Sequence, residues 1–227
     1  MKGMKEMKIM KKNRMLSFMA FTVFMSFMNV FSPPQITEAP TVLVRIETPL
    51  GNIDLAIDTK RAPVTSANFL KYVDGGLYNG GRFHRATRPD NYTPTPPNRP
   101  AMELIQGGIN PDRRNDGFPA IPLERTSVTG ITHVAGVVSM ARGNAADTAT
   151  SDFFILLDDQ PSLDHGGMRF DDGQGAAAFG RVVAGLEVVR KIQQQPVEKQ
   201  VLTPPVTILK IARVTKSRRK HEGMKDT

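Results

Sequence analysis

The sequence predicts a mainly β domain, built as an antiparallel barrel or a sandwich and accompanied by two helices. Three observations carry this. Apolar residues recur at every second position in several short runs. Glycine, proline and asparagine punctuate those runs. Only two stretches show the 3.6-residue spacing of an amphipathic helix. Many short strands with two helices suit either a closed antiparallel barrel or two packed sheets, and periodicity alone does not choose between them.

The elements follow in order. Val42, Val44 and Ile46 alternate with polar positions, Pro49-Leu50-Gly51-Asn52 supplies a turn, and Ile53, Leu55 and Ile57 resume the alternation, so residues 41–57 form a hairpin. Pro63 opens a helix at a position where its missing N–H costs nothing. Val64, Ala67, Phe69, Leu70 and Val73 form its apolar stripe, and Gly75-Gly76 ends it. A turn and a strand occupy 77–86. Residues 87–101 contain Pro89, Pro94, Pro96, Pro97 and Pro100, too many for a helix or a central strand, and read as a surface loop. Ile121 to Val128 and Ala135 to Met140 are further short strands. Phe153 to Leu157 is a continuous apolar run, as a buried strand is. Gly173 to Gly175 is loop and Phe179 to Val183 strand. Leu186, Val189 and Ile192 fit the second helix, which closes near Pro196, and Val206 to Val214 forms the last strand.

The ends differ from the middle. The chain carries a net charge of +8, but residues 1–14 hold +5 and residues 215–227 hold +3, so the span between them is about neutral. A globular nucleic-acid binder more often concentrates basic charge within its folded domain, and no nucleic-acid partner is expected. Zero cysteines exclude disulfides, thiolate metal sites and a cysteine nucleophile. Lys2, Lys5, Lys8, Lys11, Lys12 and Arg14 precede an uncharged apolar run from Met15 to Phe31, the pattern of a secretory signal peptide. Its cleavage site is not evident, so residues 1–32 are a signal peptide or an uncleaved signal anchor. Residues 33–40 are a linker, 41–214 the folded domain, and 215–227 a basic disordered tail. The domain is expected to be exported, and a leader that stays uncleaved would tether it to the membrane.

Three strings carry the chemistry: Phe83-His84-Arg85, Gln106-Gly107-Gly108 and Ser151-Asp152-Phe153-Phe154-Ile155. Ser139-Met140-Ala141-Arg142 precedes the third and Phe179-Gly180-Arg181-Val182 follows it. Ala62-Pro63-Val64, Asn68-Phe69, Gly76-Leu77-Tyr78-Asn79 and Leu163-Asp164-His165-Gly166 lie between or around them. In this order, from about Val42 to Val214, they resemble the cyclophilin family of peptidyl-prolyl cis–trans isomerases. The Leu-Asp-His-Gly string and the leader resemble its periplasmic bacterial branch.

The resemblance implies a closed eight-stranded antiparallel barrel capped by two α-helices. It makes Arg85 the catalytic arginine and Gln106 the amide that orients it. Phe154 becomes the base of the proline pocket, and Leu163 and Leu104 its walls. Ala141 and Arg142 lie along the path of the substrate backbone. The implied partners are proline-containing unfolded or partly folded polypeptides, and no cofactor or metal is required; a monomer is expected, because no long amphipathic surface helix is left over. The sequence departs from the family pattern at the proline-rich insertion, 87–101. Glu103, Ser162 and Ala176 stand where aromatic or histidine side chains are usual, and Asp152 replaces a glutamine.

These residue types suit the reaction. Amide resonance sets a barrier of roughly 18–20 kcal/mol, and no covalent step is needed to cross it. The protein must bind the twisted bond better than either planar form. As the bond twists, the prolyl nitrogen gains a lone pair, which a fixed guanidinium can meet. His84 is expected on the opposite strand face from Arg85, and His133 has no evident partner. The acids at Asp158-Asp159 and Asp171-Asp172 lack calcium-loop spacing, and no Walker loop or nucleophile elbow is present. Two other functions compete: a proline-segment binding module or chaperone with little turnover, and an unrelated β-barrel carrier of small ligands.

Overall fold

The structure, a computed structural model, describes residues 41–92 and 101–214. The leader, the linker, residues 93–100 of the insertion and the basic tail lie outside the described residues. Ten strands, three α-helices and two 3-10 turns follow one another: β1 (Thr41–Thr48), β2 (Gly51–Asp58), α1 (Pro63–Asp74), β3 (Gly81–Thr87), β4 (Leu104–Gly108), a 3-10 turn (Pro111–Asp116), α2 (Thr126–Thr129), β5 (Val137–Met140), β6 (Phe153–Leu156), a second 3-10 turn (Pro161–Leu163), β7 (Ala177–Ala184), α3 (Leu186–Gln193), β8 (Val197–Glu198), β9 (Val201–Ile208) and β10 (Lys210–Arg213).

The strands form one antiparallel sheet in the order β10-β1-β2-β7-β5-β6-β4-β3-β9-β8. This corrects the expected closed eight-stranded barrel. Among the described residues the strand count is ten, and no ladder joins β8 to β10. The cause is a break in the last strand. β9 pairs with β3 and β10 with β1, while Leu209 between them donates its N–H to Glu47 O at 2.8 Å. The chain itself, and not a ladder, crosses from one side to the other.

Two local expectations also change. The strand expected over Val206–Val214 starts earlier, at Val201, and contains Pro204 and Pro205. Its pairing with β3 skips from Val206 to Val201, and its pairing with β8 stops at Leu202. The two prolines therefore sit where no ladder needs their missing N–H. The strand expected over Ile121–Val128 is one isolated bridge, Ile121 to Ala149, followed by the single turn α2. Its polar groups are used elsewhere. Leu123 N–H donates to Asp147, and the Glu124 carboxylate accepts from Val64 and Thr65 N–H at 3.0 and 2.7 Å. Those are free amides of the first turn of α1, whose own preceding residue, Ala62, has no side chain to cap them.

Phe69, Leu70 and Val73 of the expected α1 stripe pack on the inner face of the sheet, whereas Val64 and Ala67 are exposed. Phe69 lies 5.4 Å from Tyr78, 5.5 Å from Phe153 and 5.1 Å from Phe179, ring centre to ring centre. Phe83 adds an edge contact with Phe153 at 5.9 Å. This aromatic cluster fixes β3 and β6 from inside, and so fixes what their outer faces present.

Candidate active site

A bulge in β3 builds the site. Phe83 pairs with Gly107, but Arg85 pairs with Gln106, so His84 is an extra residue opposite no partner. Without the bulge, Phe83 and Arg85 would share a face. With it, Phe83 enters the aromatic core and Arg85 emerges on the outer face beside Gln106. The same rung continues across β4 and β6 to Phe154, and on to Ser139 of β5. Arg85, Gln106 and Phe154, distant in sequence, are thus cross-strand neighbours.

Arg85 is half-buried and held from two sides. Its Nη1 donates to Gln106 Oε1 at 3.2 Å. Its Nε and Nη2 both donate to Gln200 Oε1, at 2.9 and 2.6 Å. These bonds use part of the fork and leave its other N–H groups for a ligand. Burial, and then the nearby Arg169 cation, pull the Arg85 pKa below its ordinary value; the group remains a cation, because arginine is not deprotonated in proteins.

The orientation of Gln106 follows from its neighbours. A guanidinium only donates and a carboxylate only accepts. Gln106 therefore turns its oxygen to Arg85 and donates from Nε2 to Asp152 Oδ2, at 3.3 Å. His84 Nε2 lies 3.6 Å from the same carboxylate oxygen. His84, expected on the opposite face from Arg85, instead ends a polar chain that runs through Asp152, Gln106 and Arg85 to Gln200. The bulge is the reason.

Phe154 is 6% exposed and lies over the His133 ring, with centroids 6.3 Å apart and planes 18° from parallel. His133 has partners that its sequence context did not reveal. Nδ1 lies 2.7 Å from Asp164 Oδ1, and Nε2 lies 3.0 Å from Ser139 Oγ. This is a serine, histidine and aspartate in relay order, but Ser139 and His133 are buried. No substrate reaches the hydroxyl, so the set is a scaffold beneath Phe154 and not a nucleophile.

Leu104 is two residues from Gln106 on β4 and shares its face; Leu163 ends the second 3-10 turn, and both are 3% exposed. Ala141 follows β5 and donates its N–H to Asp152 O at 2.8 Å. The Arg142 guanidinium is already engaged. It donates to Gly175 O and Asp172 and stacks at 3.5 Å on Phe170. Only the backbone of 141–142 is left to meet a chain. Glu103 receives a hydrogen bond from Gln193 at 3.3 Å, and Ser162 and Ala176 are buried. The first residues of the insertion reach the site. Tyr92 is 8% exposed, and its hydroxyl accepts from Arg169 Nη1 at 2.8 Å. Among the described residues, no group of three His, Asp or Glu side chains is placed to hold a metal.

Gln200 was not visible in the sequence. It forms the tip of the β8–β9 hairpin, after Lys199 at φ 60°. Such a turn is ordinarily marked by Gly, Asn or Asp, and Glu198-Lys199-Gln200 contains none of them.

The family model described as "Cyclophilin type peptidyl-prolyl cis-trans isomerase/CLD" matches residues 43–213. The chain belongs to the cyclophilin-type peptidyl-prolyl cis–trans isomerase family. Peptidyl-prolyl cis-trans isomerase A of Dickeya dadantii is 38% identical over 155 residues, covering 68% of this chain and 73% of the relative. A peptidyl-prolyl cis-trans isomerase of Acinetobacter baylyi is 33% identical over 174 residues, covering 74% and 84%. The fold is similar to that of a Cryptosporidium parvum cyclophilin-type isomerase, with a TM-score of 0.61 at 20% identity, over 78% of this chain and all of that one. A second structure of that protein, in the presence of the dipeptide Ala-Pro, gives 0.59 at 21% identity, over 77% and 99%.

Proposed function

We propose that this chain accelerates rotation about X–Pro bonds in exported polypeptides as they fold. The observation that carries the proposal is the single rung holding Arg85, Gln106 and Phe154. Phe154, Leu104 and Leu163 grip the proline ring, so the acyl side turns while the ring stays still. A free N–H of Arg85 meets the prolyl nitrogen as its lone pair appears, which favours the twisted state over both planar forms. Gln106 and Gln200 hold the guanidinium in place beforehand, so little reorganisation accompanies the rotation. The backbone at Ala141 and Arg142 runs beside the client chain. The Ala-Pro dipeptide present with the Cryptosporidium parvum relative supports a proline-containing ligand here.

Export rests on the leader. The basic segment before Met15 stays in the cytoplasm, and the domain works in the periplasm as a monomer. A leader that is retained tethers it to the inner membrane, and fractionation of expressing cells into soluble and membrane pools separates the two cases.

The test of activity is cis–trans exchange by NMR in a peptide with one X–Pro bond, using the purified full chain. Wild type is expected to accelerate exchange, and Arg85→Ala to lose about a hundredfold or more of the acceleration. Glu103, Ser162 and Ala176 favour a second reading, a binding module with little turnover. Peptide shifts without faster exchange would select it.

A further inference from the structure

A cavity of about 890 Å³ opens beside the catalytic rung, between β3, β9 and the 3-10 turn Pro111–Asp116. Asp152 and Gly108 form the wall nearest the site, and Phe118 supplies apolar surface over the buried Tyr72. Besides the buried Tyr72, four charged or titratable side chains line it: Arg82, His84, Arg114 and Asp152. Asp152, its only acid, is already engaged by Gln106 and lies against His84. Arg82 and Arg114 are exposed, and neither side chain has a hydrogen-bond or ion-pair partner among the described residues. Two unpaired guanidinium groups from different elements therefore face one partly apolar cavity. Low-dielectric walls strengthen such a field, and the planar forks match a carboxylate.

We propose that this cavity is a specificity subsite that takes an acidic side chain of the client chain, two or three residues from the isomerised proline. The proposal rests on the isomerase reading and names the sequence context which that site prefers. The spacing comes from the polar chain. Asp152 is two hydrogen bonds from Arg85, a span of roughly 10 Å, and an extended peptide advances about 3.3–3.6 Å per residue. The apolar wall receives the methylene stem of the side chain while the arginines hold its head.

The test compares peptides that carry Glu, Gln or Lys two or three positions before or after a single X–Pro bond. Exchange rate and affinity are both measured by NMR with the full chain. The expected result is a two- to fivefold preference, roughly, for Glu over Gln on one side of the proline. The preference shrinks as salt is raised, and Lys is disfavoured. The double variant Arg82→Gln, Arg114→Gln erases the preference while handling the Gln peptide at the wild-type rate, which also reports that it is folded. Equal rates and affinities for Glu and Gln in wild type overturn the proposal, as does a Glu preference that survives in the double variant. If no peptide is accelerated, the isomerase reading falls, and the affinity ratios still decide the subsite.

Discussion

At the scale of single residues, the site is a set of donors and acceptors with little choice of arrangement. Arg85 can only donate, so both glutamines present oxygen to it, and Asp152 prevents Gln106 from turning the other way. Gln200 accepts two of the Arg85 bonds and Gln106 one. Gln200→Ala is accordingly expected to lower kcat by about tenfold with KM changed little, because it loosens the donor without touching the ring pocket. A changed KM at constant kcat would instead assign Gln200 to client binding. Arg85, Gln106 and Phe154 were legible through short strings. Gln200 was not, because its position depends on a hairpin that lacks a turn residue. Nor was the bulge at His84, because no glycine marks it; alternation alone put that side chain on the wrong face.

At the scale of elements, the sequence was read well wherever one face is buried. The first hairpin and β6 stand where their apolar spacing put them, and α1 spans the expected residues although Val64 and Ala67 of its stripe are exposed. Reading failed where the backbone is satisfied by distant side chains. Residues 121–128 have a strand-like pattern, yet their work is to bind Asp147 and to cap α1 through Glu124. Glu124→Ala is expected to destabilise the domain by about 0.5–2 kcal/mol, the usual worth of a helix N-cap, as measured by chemical denaturation. An unchanged midpoint would mean that water serves those amides equally well.

At the scale of the whole molecule, ion pairs fasten both neighbouring strands and segments that are far apart in sequence. Hydrogen bonds from Arg45, Arg213 and Arg142 hold Asp54, Asp74 and Asp172 below the usual aspartate range. A carboxylate with a lowered folded-state pKa contributes its full stability above its unfolded value, about 3.9, and loses it as pH falls through the lower folded value. Asp158, raised chiefly by burial, acts with the opposite sign. Burial pushes Asp58 up, but hydrogen bonds from Arg61 and Lys60 hold it low as well, so four lowered groups outnumber Asp158. The thermal midpoint is therefore expected to be flat from about pH 5 to 7 and to fall below about pH 4. Arg213→Gln should make that acid limb shallower. The overall architecture was legible as mainly β with two principal helices. The open sheet was not, because whether a ladder closes depends on one residue, Leu209, whose neighbours on either side pair with different strands.

That joint also sets a timetable. The first described strand, β1, takes β10 as its outer neighbour, and the glutamine that holds Arg85 from the far side arrives only just before β9. A chain emerging from its N-terminus has both ends of the rung from Arg85 to Phe154 long before it has either its final edge strand or its second clamp on the arginine. Segments that pair across so much sequence fold late. The sheet therefore stays incomplete, and the arginine held from one side alone, until nearly the last described residue has been delivered.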